Sequence, residues 1–222
     1  MAFEEFGATD FDFEESNWEL KSRYLQPKIK SETALDEFVE YKYAQDFAKE
    51  IDLSKRTFAI VNGSFIFGDF IEALLVENAI LCVEMQISTL SLSQENIDSL
   101  AGLLDQGYIE KLIILGSDFF VNAECKDRKN VSFNLVEYMK QVLDINNRFQ
   151  FVIARTHMKV CIFETSKGNK FVIHGSANLR SSANYENLMI ENNPDLYDFI
   201  AAFHAELKKK YKVIDKEIPK KF

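Results

Sequence analysis

The chain has 222 residues, 47% of them hydrophobic and 13% aromatic, which is enough for one sizeable core. With 26 Lys and Arg against 35 Asp and Glu its formal charge is −9, which excludes a uniformly basic nucleic-acid binder but leaves room for a cationic groove on an acidic body. Only 3 Pro and 8 Gly exclude collagen-like and linker-rich architectures, and the 3 cysteines (Cys82, Cys125 and Cys161) lie too far apart for a disulfide framework or a zinc site.

Widely spaced cysteines point to a reducing compartment. No apolar run approaches the roughly eighteen residues that mark a membrane span. The acidic start lacks the basic-then-apolar order of a signal peptide. The expectation is a soluble, cytoplasmic protein without membrane association, in which the sequons at Asn62 and Asn130 carry no meaning.

Residues 1–30 read as an acidic aromatic arm. The first twenty positions hold seven acidic side chains and no Lys or Arg, interleaved with Phe3, Phe6, Phe11, Phe13 and Trp18. Charge so dense disfavours an independent folded unit, and five large aromatics call for a surface to dock on, either the chain's own body or a partner protein. Residues 31–211 read as a single α/β domain and 212–222 as a basic tail.

Within the domain the pattern from Ser31 is helical, with Leu35, Phe38, Val39, Phe47, Ala48 and Ile51 near one face. Phe58–Val61 is a short strand, 62–64 a turn, and Asp69–Asn78 a helix. Ala79–Ile87 is a strand. Ser91 and Gln94 have capping-box spacing ahead of a helix striped by Ile97, Leu100, Leu103 and Leu104 and ended by Gly107. Lys111–Leu115 is another strand, and Leu135, Val136, Met139, Val142 and Leu143 stripe another helix. This alternation predicts an α/β fold with a mixed, largely parallel sheet sandwiched by helices.

Three strands follow at short spacing, Phe149–Ala154, Met158–Phe163 and Lys170–His174. The connection 165–169 has hairpin chemistry, so the last two are expected to be antiparallel neighbours. Asn193 and Pro194 open a final helix with an N-cap and a proline at the first position. Its expected buried face is Leu196, Phe199, Ile200, Phe203 and Leu207.

The chemistry is concentrated in Thr156-His157-Met158-Lys159 and Gly175-Ser176-Ala177-Asn178. Residues two apart in a strand share a face, so His157 pairs with Lys159 and Ser176 with Asn178, and the hairpin brings the two pairs together. An imidazole, an ammonium, a hydroxyl and an amide around a small volume suit a phosphate. The lysine neutralises nonbridging oxygens, serine and asparagine donate hydrogen bonds, and the histidine attacks or transfers a proton.

His157-x-Lys159, an acidic Glu164, then Gly175-Ser176-x-Asn178 resembles the signature of the phospholipase D superfamily, H-x-K-x4-D followed by G-S-x-N. The continuation 179–187 resembles phage- and prophage-encoded members. The resemblance implies a metal-independent, cofactor-free phosphodiesterase of phospholipase D-like fold, with nucleic acid favoured over lipid as substrate. Residues His157, Lys159, Ser176, Asn178 and Glu186 would form the catalytic set, with Lys159, Ser176, Asn178 and Arg180 binding substrate. Histidine attack gives a phosphohistidine, and a second histidine protonates the leaving group. Only one motif copy is present here, which implies a homodimer sharing one site, as in the single-motif bacterial nucleases of the family. Glu186 resembles the glutamate that holds the other ring nitrogen of the catalytic histidine.

Glu164 departs from the family's aspartate, and its parity turns it away from His157 and Lys159. His174 shares parity with Ser176 but reads as a strand-end residue. Residues 155–180 carry five cations against Glu164, a local +4 that can focus an anionic substrate. The competing reading is a catalytically silent phage or mobile-element protein that keeps the fold as a scaffold or inhibitor, binding nucleic acid or protein. The acidic balance, the arm and Glu164 favour it. The joint retention of five site residues stands against it.

Overall fold

Apolar runs in the middle of the chain build a nine-stranded sheet. The computed structural model describes residues 35–41, 43–61, 65–117, 124–126, 132–143, 148–179 and 184–214. In chain order the elements are β1 (Leu35–Tyr41), α1 (Ala44–Glu50), β2 (Arg56–Val61), α2 (Phe67–Glu77), β3 (Cys82–Thr89), α3 (Gln94–Asp105), β4 (Leu112–Ser117), β5 (Glu124–Lys126) and β6 (Ser132–Asn134). They continue with α4 (Leu135–Leu143), β7 (Phe149–Ala154), β8 (Val160–Thr165), β9 (Lys170–Gly175), β10 (Glu186–Asn192), α5 (Pro194–Lys210) and β11 (Lys212–Ile214). The large sheet runs β1-β2-β10-β9-β8-β3-β4-β7-β11, and β5 and β6 pair apart from it.

The expected largely parallel sheet is corrected by this order. Only β1–β2, β3–β4 and β4–β7 are parallel, and the other five pairings are antiparallel. Helical crossovers join the parallel neighbours, as a parallel pair requires. The hairpin at 165–169 then reverses the chain between β8 and β9, with the Gly168–Thr165 turn bond at 2.9 Å. The sequence from Glu186 onward reads as motif continuation, yet it forms β10, which pairs antiparallel with both β9 and β2. With β3–β8 and β7–β11, which are also antiparallel, these reversals outweigh the βαβ units.

Three further expectations shift. Residues 35–41 form an edge strand beside β2 rather than the start of a helix, and α1 begins only at Ala44. The cap of α3 is Ser93, not Ser91. Its Oγ accepts from the Asn96 N–H, and Asn96 Oδ1 accepts from the Ser93 N–H at 2.9 Å. Lys212–Ile214, assigned to the basic tail, pair with β7 and extend the sheet. The arm (1–30), the turn at 62–64 and residues 215–222 lie outside the described residues, as does the sequon residue Asn130. Gly107 does end α3, at φ +79°, a left-handed conformation that glycine takes without steric cost.

The main core lies on the face covered by α1–α4, where Phe47, Phe70, Leu75, Ile97, Leu104 and Met139 pack on Ile87, Ile114, Phe151 and Phe163. Among the described residues α5 alone supplies the helical cover of the opposite face, through Tyr197 and Ile200 over β8 and β9 and Leu207 over β4 and β7. Here the apolar stripe misleads. Phe199 and Phe203 are 42% and 38% exposed, while His204 is fully buried. The helix is rotated because β3 turns Gln86 and Ser88 into this face, and buried polar groups need partners. His204 supplies them. Its Nδ1–H donates to Gln86 Oε1 at 3.0 Å, and Nε2 accepts from the Ser88 hydroxyl at 3.1 Å.

Burial holds the His204 imidazole neutral and pushes its pKa down to about 4. The unfolded chain takes up this proton near pH 6.5, so the unfolded state binds more protons between that pH and about 4. The stability His204 contributes is complete above pH 6.5 and is lost as pH falls through the folded value, roughly 3 kcal/mol in all. Denaturant unfolding of His204→Gln should show a flatter stability profile across this window than the unsubstituted protein. Equal slopes would remove His204 as the cause.

Candidate active site

Strands β3, β4 and β7 end at Thr89, Ser117 and Ala154, and the antiparallel β8 begins at the same edge, with Val160 opposite Ser88. The link into β8 is short and internally braced. The Thr156 N–H donates to Ala154 O at 2.9 Å, and Thr156 Oγ1 accepts from the Met158 N–H at 3.1 Å. This brace presents His157 exposed at the sheet edge.

His157 and Lys159 therefore precede the strand rather than sit in it, but their side chains still meet. Lys159 Nζ lies 3.2 Å from His157 Nδ1 and 3.2 Å from His157 O. An ammonium only donates, so Nδ1 is the accepting nitrogen in this arrangement and the proton of the neutral ring sits on Nε2.

The second pair stands on the neighbouring strand end. Ser176 donates its hydroxyl to Glu186 Oε2 and accepts from the Asn187 N–H at 3.0 Å. Its own N–H reaches Asn187 O at 2.9 Å. The two pairs are tied by the backbone, since the Gly175 N–H donates to Lys159 O at 3.2 Å. Four of the expected residues thus form two bonded couples on adjacent strand ends. Glu186 is held by Ser176, and the His157 Nδ1 by Lys159.

Asn178 is half-buried, and its Oδ1 is buried without a hydrogen-bond partner among the described residues. A buried acceptor left open in this way is uncommon and marks a place where a donor belongs. Arg180 lies outside the described residues. Glu164 is half-buried near the opposite end of β8, flanked in register by Glu84 and Lys170. His174 sits in β9 between Val160 and Met189, and burial lowers its pKa against the opposing pull of Glu191.

The supports of the site were not foreseen from the sequence. The loop after Asn178 is anchored by the Leu179 carbonyl, which accepts from the Gly68 N–H at 3.0 Å at the start of α2. A side chain at position 68 would strike Asn96 Nδ2 at 2.3 Å. Gly175 is tighter, because a Cβ there would lie 2.0 Å from Asn187 O. A lone glycine opening a helix and one ending a strand are the only sequence traces of these close approaches. Among the described residues no three His, Cys, Asp or Glu side chains are grouped to hold a metal ion, and no helix is long and apolar enough to cross a membrane.

No family model and no curated protein matches the chain. Solved structures do. The chain is similar to the phospholipase D family member Nuc from Salmonella typhimurium at 14% identity and a TM-score of 0.45, covering 60% of this chain and 83% of that one. It is similar to NucT from Helicobacter pylori at 16% identity and 0.41, covering 58% and 80%. Against the phosphatidylserine synthase of Haemophilus influenzae the values are 15% and 0.46, covering 72% and 39%. The likeness covers part of the chain at low identity, and the chemical reading rests on the site's own residues.

Proposed function

We propose that this protein is a metal-independent phosphodiesterase acting on nucleic acid through a phosphohistidine, in a site completed by a second copy of the chain. The observation that carries it is the coupling of the His157–Lys159 and Ser176–Glu186 pairs through the Gly175–Lys159 backbone bond. In this reading a nitrogen of His157 attacks phosphorus, an N–P bond forms, and the P–O bond to the leaving group breaks. The leaving oxygen takes a proton from the partner's His157. Water then attacks the phosphohistidine, the N–P bond breaks, and the water's proton returns to the partner's His157. Lys159 turns its donors from the imidazole to the nonbridging oxygens, Asn178 and Arg180 bind beside it, and Ser176 with Glu186 holds the neighbouring strand end in place.

The need for a second copy follows from the histidines. The chain has 3. His204 is sealed between Gln86 and Ser88, and His174 is half-buried with its pKa lowered, so neither is placed to protonate a leaving group beside His157. The test is hydrolysis of bis-p-nitrophenyl phosphate and of single- and double-stranded DNA in EDTA, with light scattering alongside. Cleavage by a species of twice 25.7 kDa supports the reading. Cleavage by a species of 25.7 kDa would overturn the shared site, and no cleavage of any of the three by a folded sample would move the reading to the catalytically silent scaffold.

A further inference from the structure

Tyr185 is 77% exposed, whereas the other exposed large hydrophobic side chains among the described residues lie between 38% and 52%. A single solvated ring is common on protein surfaces, and exposure alone would mean little. Its place in the chain gives it meaning. Tyr185 immediately precedes Glu186, the first residue of β10, whose carboxylate accepts from the Ser176 hydroxyl. On the other side of Glu186, the Asn187 N–H donates to Ser176 Oγ at 3.0 Å. Glu186 also pairs with Val61 of β2. The ring is thus carried one residue from the site, at the end of a strand held on both sides.

A nucleic-acid substrate offers two handles, its phosphates and the faces of its bases. The first is weak here. The chain carries −9 overall, so its long-range field opposes a polyanion and attraction is left to the local cations of residues 155–180. Binding that charge does not supply must come from a neutral contact, and an aromatic face offers one to any base.

We propose that Tyr185 is a stacking platform for the base that flanks the scissile phosphate, which makes the site selective for single-stranded nucleic acid. This rests on the reading of the site as a phosphodiesterase for nucleic acid. With the phosphate beside Lys159, the attached sugar carries its base along the strand end to the tyrosine ring. An unpaired base can turn a face to that ring. In a duplex both faces are already covered by neighbouring pairs, and freeing one costs unstacking energy. The contact uses the face of the ring and not its hydroxyl, so it tolerates any base and a phenylalanine in place of the tyrosine.

The test compares the unsubstituted protein with Tyr185→Ala and Tyr185→Phe on a single-stranded oligodeoxythymidine, its duplex, and a strand whose central nucleotides lack bases. Tyr185→Ala should lower kcat/KM on the single strand by about tenfold to a hundredfold, mainly through KM. Tyr185→Phe should stay within about twofold of the unsubstituted protein, and on the abasic strand all three should be equal. Leu81→Ala removes an exposed side chain at the opposite edge of the sheet, just before β3, and should change nothing. Unchanged KM for Tyr185→Ala on the single strand would overturn the platform and leave the phosphodiesterase standing. An equal loss on the abasic strand would also overturn it, by showing that the ring only supports the fold of the site. A mass of 25.7 kDa for Tyr185→Ala beside twice that for the unsubstituted protein would assign the ring to the contact between copies and overturn the platform. If the unsubstituted protein cleaves none of the three, the phosphodiesterase reading fails, and fluorescence anisotropy of labelled oligodeoxythymidine decides the platform by itself. Binding weaker by about tenfold or more in Tyr185→Ala would then support it, and equal or absent binding would overturn it.

Discussion

His157→Ala is expected to lower phosphodiester cleavage by on the order of a thousandfold or more while leaving the fold intact. A nucleophile that forms the covalent intermediate has no substitute nearby, and losses of this size follow when one member of a cooperating catalytic set is removed. In a shared site the substitution also removes the general acid, since each copy supplies both roles. The fold is spared because His157 is exposed and sits in the braced link before β8 rather than in the sheet. Its melting temperature should therefore stay within about 2 °C of the unsubstituted protein. Mixing His157→Ala with the unsubstituted protein supplies a second readout. If each site draws one histidine from each copy, mixed dimers are as inactive as the variant, and an equal mixture that exchanges subunits should keep roughly a quarter of the activity of the same total of unsubstituted chain rather than a half. A His157→Ala protein that keeps a tenth of the rate would show that another group attacks phosphorus.

Gly175→Ala should be the most damaging small substitution in the site. An added methyl would meet Asn187 O at 2.0 Å and Leu188 Cα at 2.8 Å, both of them backbone of the neighbouring strand. Neither can rotate away, so β9 and β10 must part locally. The bonds that set Ser176 against Glu186 and Asn187 sit at that point. Overpacking against backbone costs about 3 kcal/mol, which in a domain of this size lowers the melting temperature by about 6–12 °C. Gly107→Ala gives the contrast, because that glycine has open space around it and only its left-handed φ to lose, about 1 kcal/mol. Thermal unfolding of both variants separates the two mechanisms, and equal losses would refute the strand-contact account of Gly175.

The sequence was most legible where local chemistry decides the outcome. The β8–β9 hairpin follows from its Gly168 tip, the end of α3 from Gly107, and the opening of α5 from Asn193 and Pro194. The His157-x-Lys159 and Ser176 positions are likewise visible, because two short motifs in register leave a pattern. What failed depends on distant partners. Leu35, Phe38 and Val39 have helical spacing, but a seven-residue segment beside β2 gains more as a sheet edge. Strand direction in the sheet is set by where β10 returns, and no single residue between 186 and 192 announces that it pairs on both sides. Phe199 and Phe203 look like core in the helical stripe. They are displaced because His204 has Gln86 and Ser88 to satisfy, 118 and 116 residues away in the chain.

The order of the sheet also governs how the molecule assembles. β2 and β3 follow one another in the chain, yet β10, β9 and β8 stand between them. When synthesis has passed Ala154, the β1–β2 pair and the β3–β4–β7 group exist with facing edges open and nothing to join them. Both edges stay available to other chains until residues 160–192 emerge, and open edges are where misassembly begins. The keystone of the arch is therefore laid last. Because that keystone is also the segment that carries Ser176 and Glu186, an incomplete molecule has no completed site, and closure of the sheet and assembly of the site are a single late event.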